Sequence, residues 1–172
     1  MHKIKRGMTI TVEYSLYITL AVAFLLIPTH LILSWVCAVF VHELGHYITL
    51  RMLKVPIISI TLSVRGIKME TGNVLPREEL LSAAAGPLCS VLLLLTRDYL
   101  PFIAFCGMVQ GGVNLVPILP LDGGRILRSF IDLHMPGEGD RISKFISKSF
   151  GMALLLCGVL LFFVFLLRLL SL

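Results

Sequence analysis

The stretch Val39-Phe40-Val41-His42-Glu43-Leu44-Gly45-His46-Tyr47-Ile48 places three titratable side chains within five positions of an otherwise apolar segment. Apolar residues also dominate its flanks, so residues from about Leu31 to Leu53 have the composition of a membrane span. At about 1.5 Å per residue, such a helix is long enough to cross a hydrocarbon core of about 30 Å. An ionisable group at that depth is costly, and it therefore indicates a functional site.

The composition of the whole chain supports a membrane protein. Hydrophobic residues make up 57% of its 172 residues, against roughly 45–50% in soluble domains. The excess lies in long blocks, which predicts one integral membrane domain over residues 1–172. The net charge of +5 does not indicate nucleic-acid binding, because the basic residues lie between the apolar blocks and are better interpreted as topology determinants.

The four cysteines lie within apolar blocks and form no C-x-x-C pair. We interpret them as small buried hydrophobic residues, with a disulfide or a zinc–thiolate site as the alternative. They are Cys37, Cys89, Cys106 and Cys157.

The pattern of apolar blocks predicts an all-α polytopic fold with about five transmembrane helices and a small membrane-associated β-hairpin. The predicted spans are a first block ending near Ile27, then about Leu31 to Leu53, Pro76 to Thr96, Tyr99 to Ile118, and Phe145 to Leu170. The β-branched residues of 57–64, a turn at Arg65-Gly66 and alternation over 67–70 predict the hairpin. Residues 8–16 fit either a short strand or the start of a helix.

The distribution of Lys and Arg predicts the orientation of the five spans. Thirteen basic residues fall on one side of the membrane and two, Arg97 and Arg168, on the other, which places the N-terminus in the cytosol. His46 would then lie about 10 Å below the cytosolic surface. Asp122 ends up near the same face, at the end of the fourth span. The thirteen are Lys3, Lys5, Arg6, Arg51, Lys54, Arg65, Lys68, Arg77, Arg125, Arg128, Arg141, Lys144 and Lys148.

The histidine pair has the spacing of two metal ligands. Side chains four residues apart project from one face of a helix, so His42 and His46 can bind one ion. A catalytic zinc site has three protein ligands and one open position, and Asp122 is the best third candidate by depth and sidedness. Glu43 lies next to a ligand and is suited to act as a general base.

Each of these residues also has a simpler interpretation. The His-Glu-His run could be the surface of a cytosolic helix, and Asp122 could be a turn residue in Leu-Asp-Gly-Gly. Glu13 could serve the site or only pack near the first span. Arg125 is interpreted as a topology anchor, with lipid phosphate or substrate as alternative partners.

His42-Glu43-Leu44-Gly45-His46, taken with the segment from Asn114 to Gly124 (NLVPILPLDGG), resembles the site-2 protease family of intramembrane zinc metalloproteases. The resemblance implies that His42, His46 and Asp122 bind one Zn²⁺, that Glu43 is the catalytic base, and that Asn114 binds the substrate backbone or the oxyanion. It also implies a transmembrane or membrane-associated protein substrate, contact with membrane lipids and a regulatory membrane protein, without nucleic acid. The expected activity is endopeptidase cleavage near the cytosolic face.

Other parts of the chain refine the resemblance. Ala85-Gly86-Pro87 looks like the family's A-G-P motif, which often continues to an asparagine where this chain has Ser90; a polar role for Ser90 stays open. The chain looks most like the minimal group that includes stage IV sporulation protein FB, which implies a multi-pass protein of a bacterial cell membrane.

Two other classes of function fit part of the pattern. Histidines and carboxylates at membrane depth also mark zinc transporters or sensors, but transporters more often show internal repeats, which are not evident in this sequence. A catalytically inactive scaffold is disfavoured because every catalytic position is filled.

Overall fold

The computed structural model describes residues 9–64 and 66–170. Four of the basic residues used for the orientation, Lys3, Lys5, Arg6 and Arg65, lie outside the described residues. The described chain is mainly helical with one small sheet, as predicted. Its elements are β1 (Thr9–Val12), α1 (Tyr14–Leu26), α2 (Thr29–Met52), β2 (Ile57–Ser63), β3 (Gly66–Thr71), α3 (Pro76–Leu92), a 3-10 turn (Leu93–Thr96), α4 (Pro101–Asn114), α5 (Asp122–His134) and α6 (Gly139–Leu170).

Three helical segments of the described chain are long and apolar enough to cross a membrane: Thr29–Met52, Pro76–Thr96 and Gly139–Phe163. The two other predicted spans form α1, with 13 residues, and α4, with 14 residues. At about 1.5 Å per residue each is about 20 Å long, short of a hydrocarbon core of about 30 Å. The count of five spans is therefore not confirmed. α1 ends at Leu26 and α4 runs from Pro101 to Asn114, so both helices are shorter than the predicted spans that contain them.

The predicted hairpin is present, with β2 and β3 paired antiparallel so that Ile60 lies opposite Met69. Gly66 follows the turn with a φ of +108°, a conformation that glycine adopts without a steric penalty. Both interpretations of residues 8–16 hold in part, since they form β1 and then the start of α1. β1 pairs parallel with β2. The sheet order β1-β2-β3 leaves β3 at one edge of the described sheet.

The helices are arranged around α3, which packs against α2, α4 and α5. The buried side of α3 consists of small residues, which let helix backbones approach closely in a membrane protein. α6 packs against α5, its Ser147 accepts a hydrogen bond from the Leu119 N–H in the loop before α5, and its apolar residues are largely exposed. The buried residues of α3 are Ser82, Ala83, Gly86, Pro87 and Ser90.

All four cysteines are free, so the disulfide alternative is not realised. Cys106 is buried, whereas Cys37 and Cys157 are exposed, and the prediction that all four are buried is wrong. The reason is that the outer face of a membrane helix meets lipid, so an apolar residue there does not have to pack against protein.

The contact between α2 and α3 depends on Gly45. A Cβ atom at this position would lie 2.7 Å from the Ala85 carbonyl oxygen and 2.7 Å from Cys89 Sγ. We expect Gly45→Ala to lower the free energy of unfolding by about 1–3 kcal/mol, the usual cost of overpacking. Denaturant titration of the purified protein in detergent measures the change.

Gly112→Ala is the matched control, because a Cβ atom there meets nothing within 4 Å. It should leave stability unchanged or raise it by about 0.5–1 kcal/mol, since alanine is the better helix former. Equal effects of the two substitutions would contradict close packing at Gly45.

Candidate metal centre and active-site cleft

The two histidines of the opening motif lie one turn apart on the buried face of α2. Their side chains are almost inaccessible: the residues are 2% (His42) and 6% (His46) exposed. Their ring centroids are 4.8 Å apart. Asp122 is the first residue of α5 and is 5% exposed. Asp122 lies 76 or more positions after the two histidines in the sequence. The three residues nevertheless come together in the fold, as the sequence predicts.

The ligand atoms of this group form a nearly equilateral triangle. Asp122 Oδ2 lies 3.0 Å from His42 Nε2 and 3.2 Å from His46 Nε2, and the two Nε2 atoms are 3.1 Å apart. Ligands held at the zinc–nitrogen distance in a tetrahedral site would be separated by about 3.3 Å. The spacing and the donor set therefore fit one zinc-sized metal ion.

The outer nitrogen of each histidine ring has its own partner on α3. His46 Nδ1 lies 2.8 Å from the Ser82 carbonyl oxygen, which only accepts, so the proton is on Nδ1 and the Nε2 lone pair points into the triangle. His42 Nδ1 lies 2.8 Å from Ser90 Oγ, an arrangement in which Nδ1–H donates to the hydroxyl. Such outer contacts fix the tautomer and the ring orientation of metal-binding histidines.

Gly86 provides the space for both rings. A Cβ atom at this position would lie 2.2 Å from His46 Nε2 and 2.8 Å from His42 Nε2. Any side chain there would therefore occupy the space next to the ligand atoms, which is the physical reason for a glycine in the Ala85-Gly86-Pro87 step.

The second oxygen of Asp122 faces away from the histidines, towards Arg125. Arg125 Nη1 donates to Asp122 Oδ1 at 3.0 Å, and Arg125 Nε donates to Glu79 Oε1 at 2.8 Å. Burial alone would raise the pKa of Asp122, but its close contacts with His42 and His46 and the charge of Arg125 lower it well below its ordinary value. The carboxylate is therefore ionised and available as a ligand.

The triangle lies in the wall of a cleft of about 980 Å³ formed by α2, the sheet, α3 and the loop before α5. Half-buried Glu43 and Asn114 line the same cleft, as does Glu13. Asn114 Nδ2 donates one hydrogen bond to the Gln110 carbonyl oxygen, which leaves its second N–H available. All five predicted site residues thus surround one cavity.

Sequence reasoning missed the residues that support the ligands. The sequence left a polar role for Ser90 open, and in the structure Ser90 contacts His42. Arg125, interpreted as a topology anchor, is paired inside the protein with Glu79 and Asp122. The contacts of Ser90 with His42 and of Arg125 with Glu79 join residues 48 and 46 positions apart along the chain. The only hint of them in the sequence is a polar residue type within a helix that lines the site.

Comparisons with known proteins agree with this site. A sequence model of peptidase family M50 matches residues 90–158, which include Asn114 and Asp122. A zinc metalloprotease of Methanocaldococcus jannaschii is 33% identical over 140 residues, which cover 72% of this chain. A candidate zinc metalloprotease of Synechocystis sp. is 34% identical over 110 residues, or 55% of this chain. The chain spans only 41% and 29% of the lengths of these relatives.

The fold has a solved counterpart. The structure of a site-2 protease from Methanocaldococcus jannaschii superimposes with a TM-score of 0.67 and 26% sequence identity, covering 93% of this chain and 84% of that one. The subgroup around stage IV sporulation protein FB stays a prediction.

The contact between Ser90 and His42 generates a test. Ser90→Ala removes the outer partner of His42 Nδ1, and we expect metal affinity to fall by about 10- to 100-fold, the usual effect of losing such a contact. Zinc titration against a competing chelator measures it. Ser34→Ala is the matched control on α2, because the Ser34 hydroxyl is buried and donates to the His30 carbonyl oxygen, more than two helical turns before His42. Equal zinc affinity in both variants would contradict the role of Ser90.

Proposed function

Because the chain belongs to peptidase family M50, the site-2 proteases, we propose that it is a zinc-dependent intramembrane endopeptidase. Its substrates are transmembrane or membrane-associated proteins, cleaved near the cytosolic face. The observation that carries the proposal is the triangle of His42, His46 and Asp122 in the wall of a cleft that also contains Glu43. A ligand set, a base and room for a peptide therefore occur together.

His42, His46 and Asp122 would hold the zinc ion, which supplies a Lewis acid that polarises a peptide carbonyl and favours deprotonation of water. Glu43 follows His42 directly and faces the same cleft. It takes the proton from the attacking water and then delivers it to the amine that leaves when the peptide bond breaks. One carboxylate thus serves as base and then as acid.

Asn114 also lines the cleft, and we propose that it binds the substrate. One of its amide protons is used within α4, on the Gln110 carbonyl oxygen. The other can donate to the backbone of a peptide or to the oxygen that becomes negative during the attack, where a fixed donor stabilises the transition state.

A helical substrate must be locally extended before its amides can react. β3 borders the cleft through residues 66–69 and has a free edge among the described strands. An extended segment of the substrate could add to this edge through main-chain hydrogen bonds. Strand addition would hold the unwound peptide beside the metal ligands.

We propose that the protein is multi-pass, with its N-terminus in the cytosol of a bacterial cell. The distribution of basic residues supports this orientation, and the resemblance to the sporulation group supports the location. In this arrangement the segments that contain α1 and α4 complete a set of five spans. Membrane lipids and a regulatory membrane protein are the expected partners besides the substrate.

The role of Glu43 can be tested without disturbing the metal ligands. We expect Glu43→Gln to retain zinc and to lower the rate of cleavage of a single-span substrate by about 100- to 10,000-fold, the usual contribution of a general base. Peptide products from purified protein in liposomes, with and without a zinc chelator, provide the measurement.

Glu138→Gln is the control, since Glu138 pairs with Arg141 on the surface, away from the cleft. It should cleave at the wild-type rate. Full activity of Glu43→Gln would overturn the assignment of the base. Zinc binding without chelator-sensitive cleavage by the wild-type protein would favour a transporter or sensor instead.

A further inference from the structure

We propose that Arg125 is a positioning residue for the metal centre: it holds Asp122 so that only Oδ2 faces the histidines, and Glu79 in turn holds Arg125. The inference rests on the proposed function in one respect, the identity of the bound ion as zinc. It assigns a role to two residues that contact neither the histidine rings nor the reacting atoms. Arg125 and Glu79 would act on the metal centre through Asp122.

The two oxygens of the Asp122 carboxylate have different partners. Oδ2 lies 3.0 and 3.2 Å from the Nε2 atoms of His42 and His46, whereas Oδ1 accepts from Arg125 Nη1 at 3.0 Å. A carboxylate without this second bond could rotate about its Cβ–Cγ bond and offer both oxygens to a metal. The hydrogen bond on Oδ1 therefore favours a ligand that binds through one oxygen and leaves a position open for substrate or water.

Arg125 itself is fixed by a second carboxylate. Its Nε donates to Glu79 Oε1 at 2.8 Å, and the Glu79 side chain is only 15% exposed. The guanidinium thus uses two edges at once, one towards α3 and one towards the first residue of α5. A lysine has a single point charge on a flexible stem and cannot reproduce this two-sided contact.

The contact also links the elements that carry the ligands. α2 and α3 are joined through the outer contacts of the histidines, and Glu79 on α3 is joined to Asp122 on α5 through Arg125. Apart from that link, the described contacts between α3 and α5 are packing and the longer contact of Arg128 with Glu79. The position of the third ligand relative to the pair therefore depends on the bridge.

Charge alone predicts a different result from the hydrogen bond, which makes the proposal testable. Removing a nearby positive charge should strengthen binding of a cation or leave it unchanged. Removing the bond to Asp122 Oδ1 should weaken binding, because outer contacts of a ligand are worth about 10- to 100-fold in metal affinity. Arg128 provides the control: it lies one turn further along α5, and its Nη2 is 3.8 Å from the same Glu79 Oε1.

The experiment uses the full chain purified in detergent and loaded with Zn²⁺ or Co²⁺. Zinc affinity is measured by chelator competition, and the absorption spectrum of bound Co²⁺ reports the ligand geometry. We expect Arg125→Gln to bind zinc about 10- to 100-fold more weakly, with a changed cobalt spectrum. Glu79→Gln should shift both readouts in the same direction, and Arg125→Lys should restore them only in part. Arg128→Gln should keep the wild-type affinity and spectrum.

Wild-type affinity and spectrum in Arg125→Gln would overturn the proposal, as would an equal loss in Arg128→Gln. If Arg125→Gln fails to fold, the isosteric Glu79→Gln decides in its place, because it loosens Arg125 and keeps the side-chain volume. Failure of the protease proposal is seen separately, as wild-type protein that binds both metals and cleaves no substrate. The positioning role would stand in that case.

Discussion

The arrangement of the protein depends on three electron-pair donors that meet at 3.0 to 3.2 Å in a buried space. Two imidazole nitrogens and a carboxylate oxygen repel one another at that distance unless a cation lies between them. Bringing them together requires close contact between α2 and α3, which explains the small residues on the buried face of α3. The outer contacts of Ser82 and Ser90 then fix the rings so that the lone pairs converge.

Electrostatic balance explains how such a cluster is compatible with a membrane. With a dication bound, the metal and the guanidinium of Arg125 offset the three carboxylates of Asp122, Glu43 and Glu79. Isolated charges are costly in a low-dielectric interior, whereas paired and hydrogen-bonded charges are tolerated. Asp122 also lies at the N-terminus of α5, where the helix dipole favours a negative charge. The polar network therefore holds the ligands and also reduces the cost of burying them.

The sequence predicted the parts of this site that depend on local spacing or membrane depth. The His42 and His46 pair follows from helical periodicity, and the hairpin follows from β-branched residues around a turn. The number of spans could not be predicted in the same way, because apolar composition does not show where a helix ends within a block, as α4 does at Asn114. The contacts of Ser90 and Arg125 could not be predicted either. The contacts of Ser90 with His42 and of Arg125 with Glu79 join distant positions, and the same residue types also occur on helix surfaces and at the membrane boundary.

Hydrolysis inside a membrane needs water and an extended peptide, two things that a bundle of complete spans would exclude. The described elements provide both for geometric reasons. α4 ends at Asn114, so the chain continues into the 116–121 loop beside Asp122, and irregular backbone at membrane depth is stable only where it lines a polar cavity or is buried in protein. The sheet closes the cleft on its other side with backbone groups and polar side chains instead of lipid-facing helix. The end of α4 and the loop that follows it both position Asp122 and open the cleft. The proposed metal site and the proposed access of water therefore depend on the same break in the helical bundle.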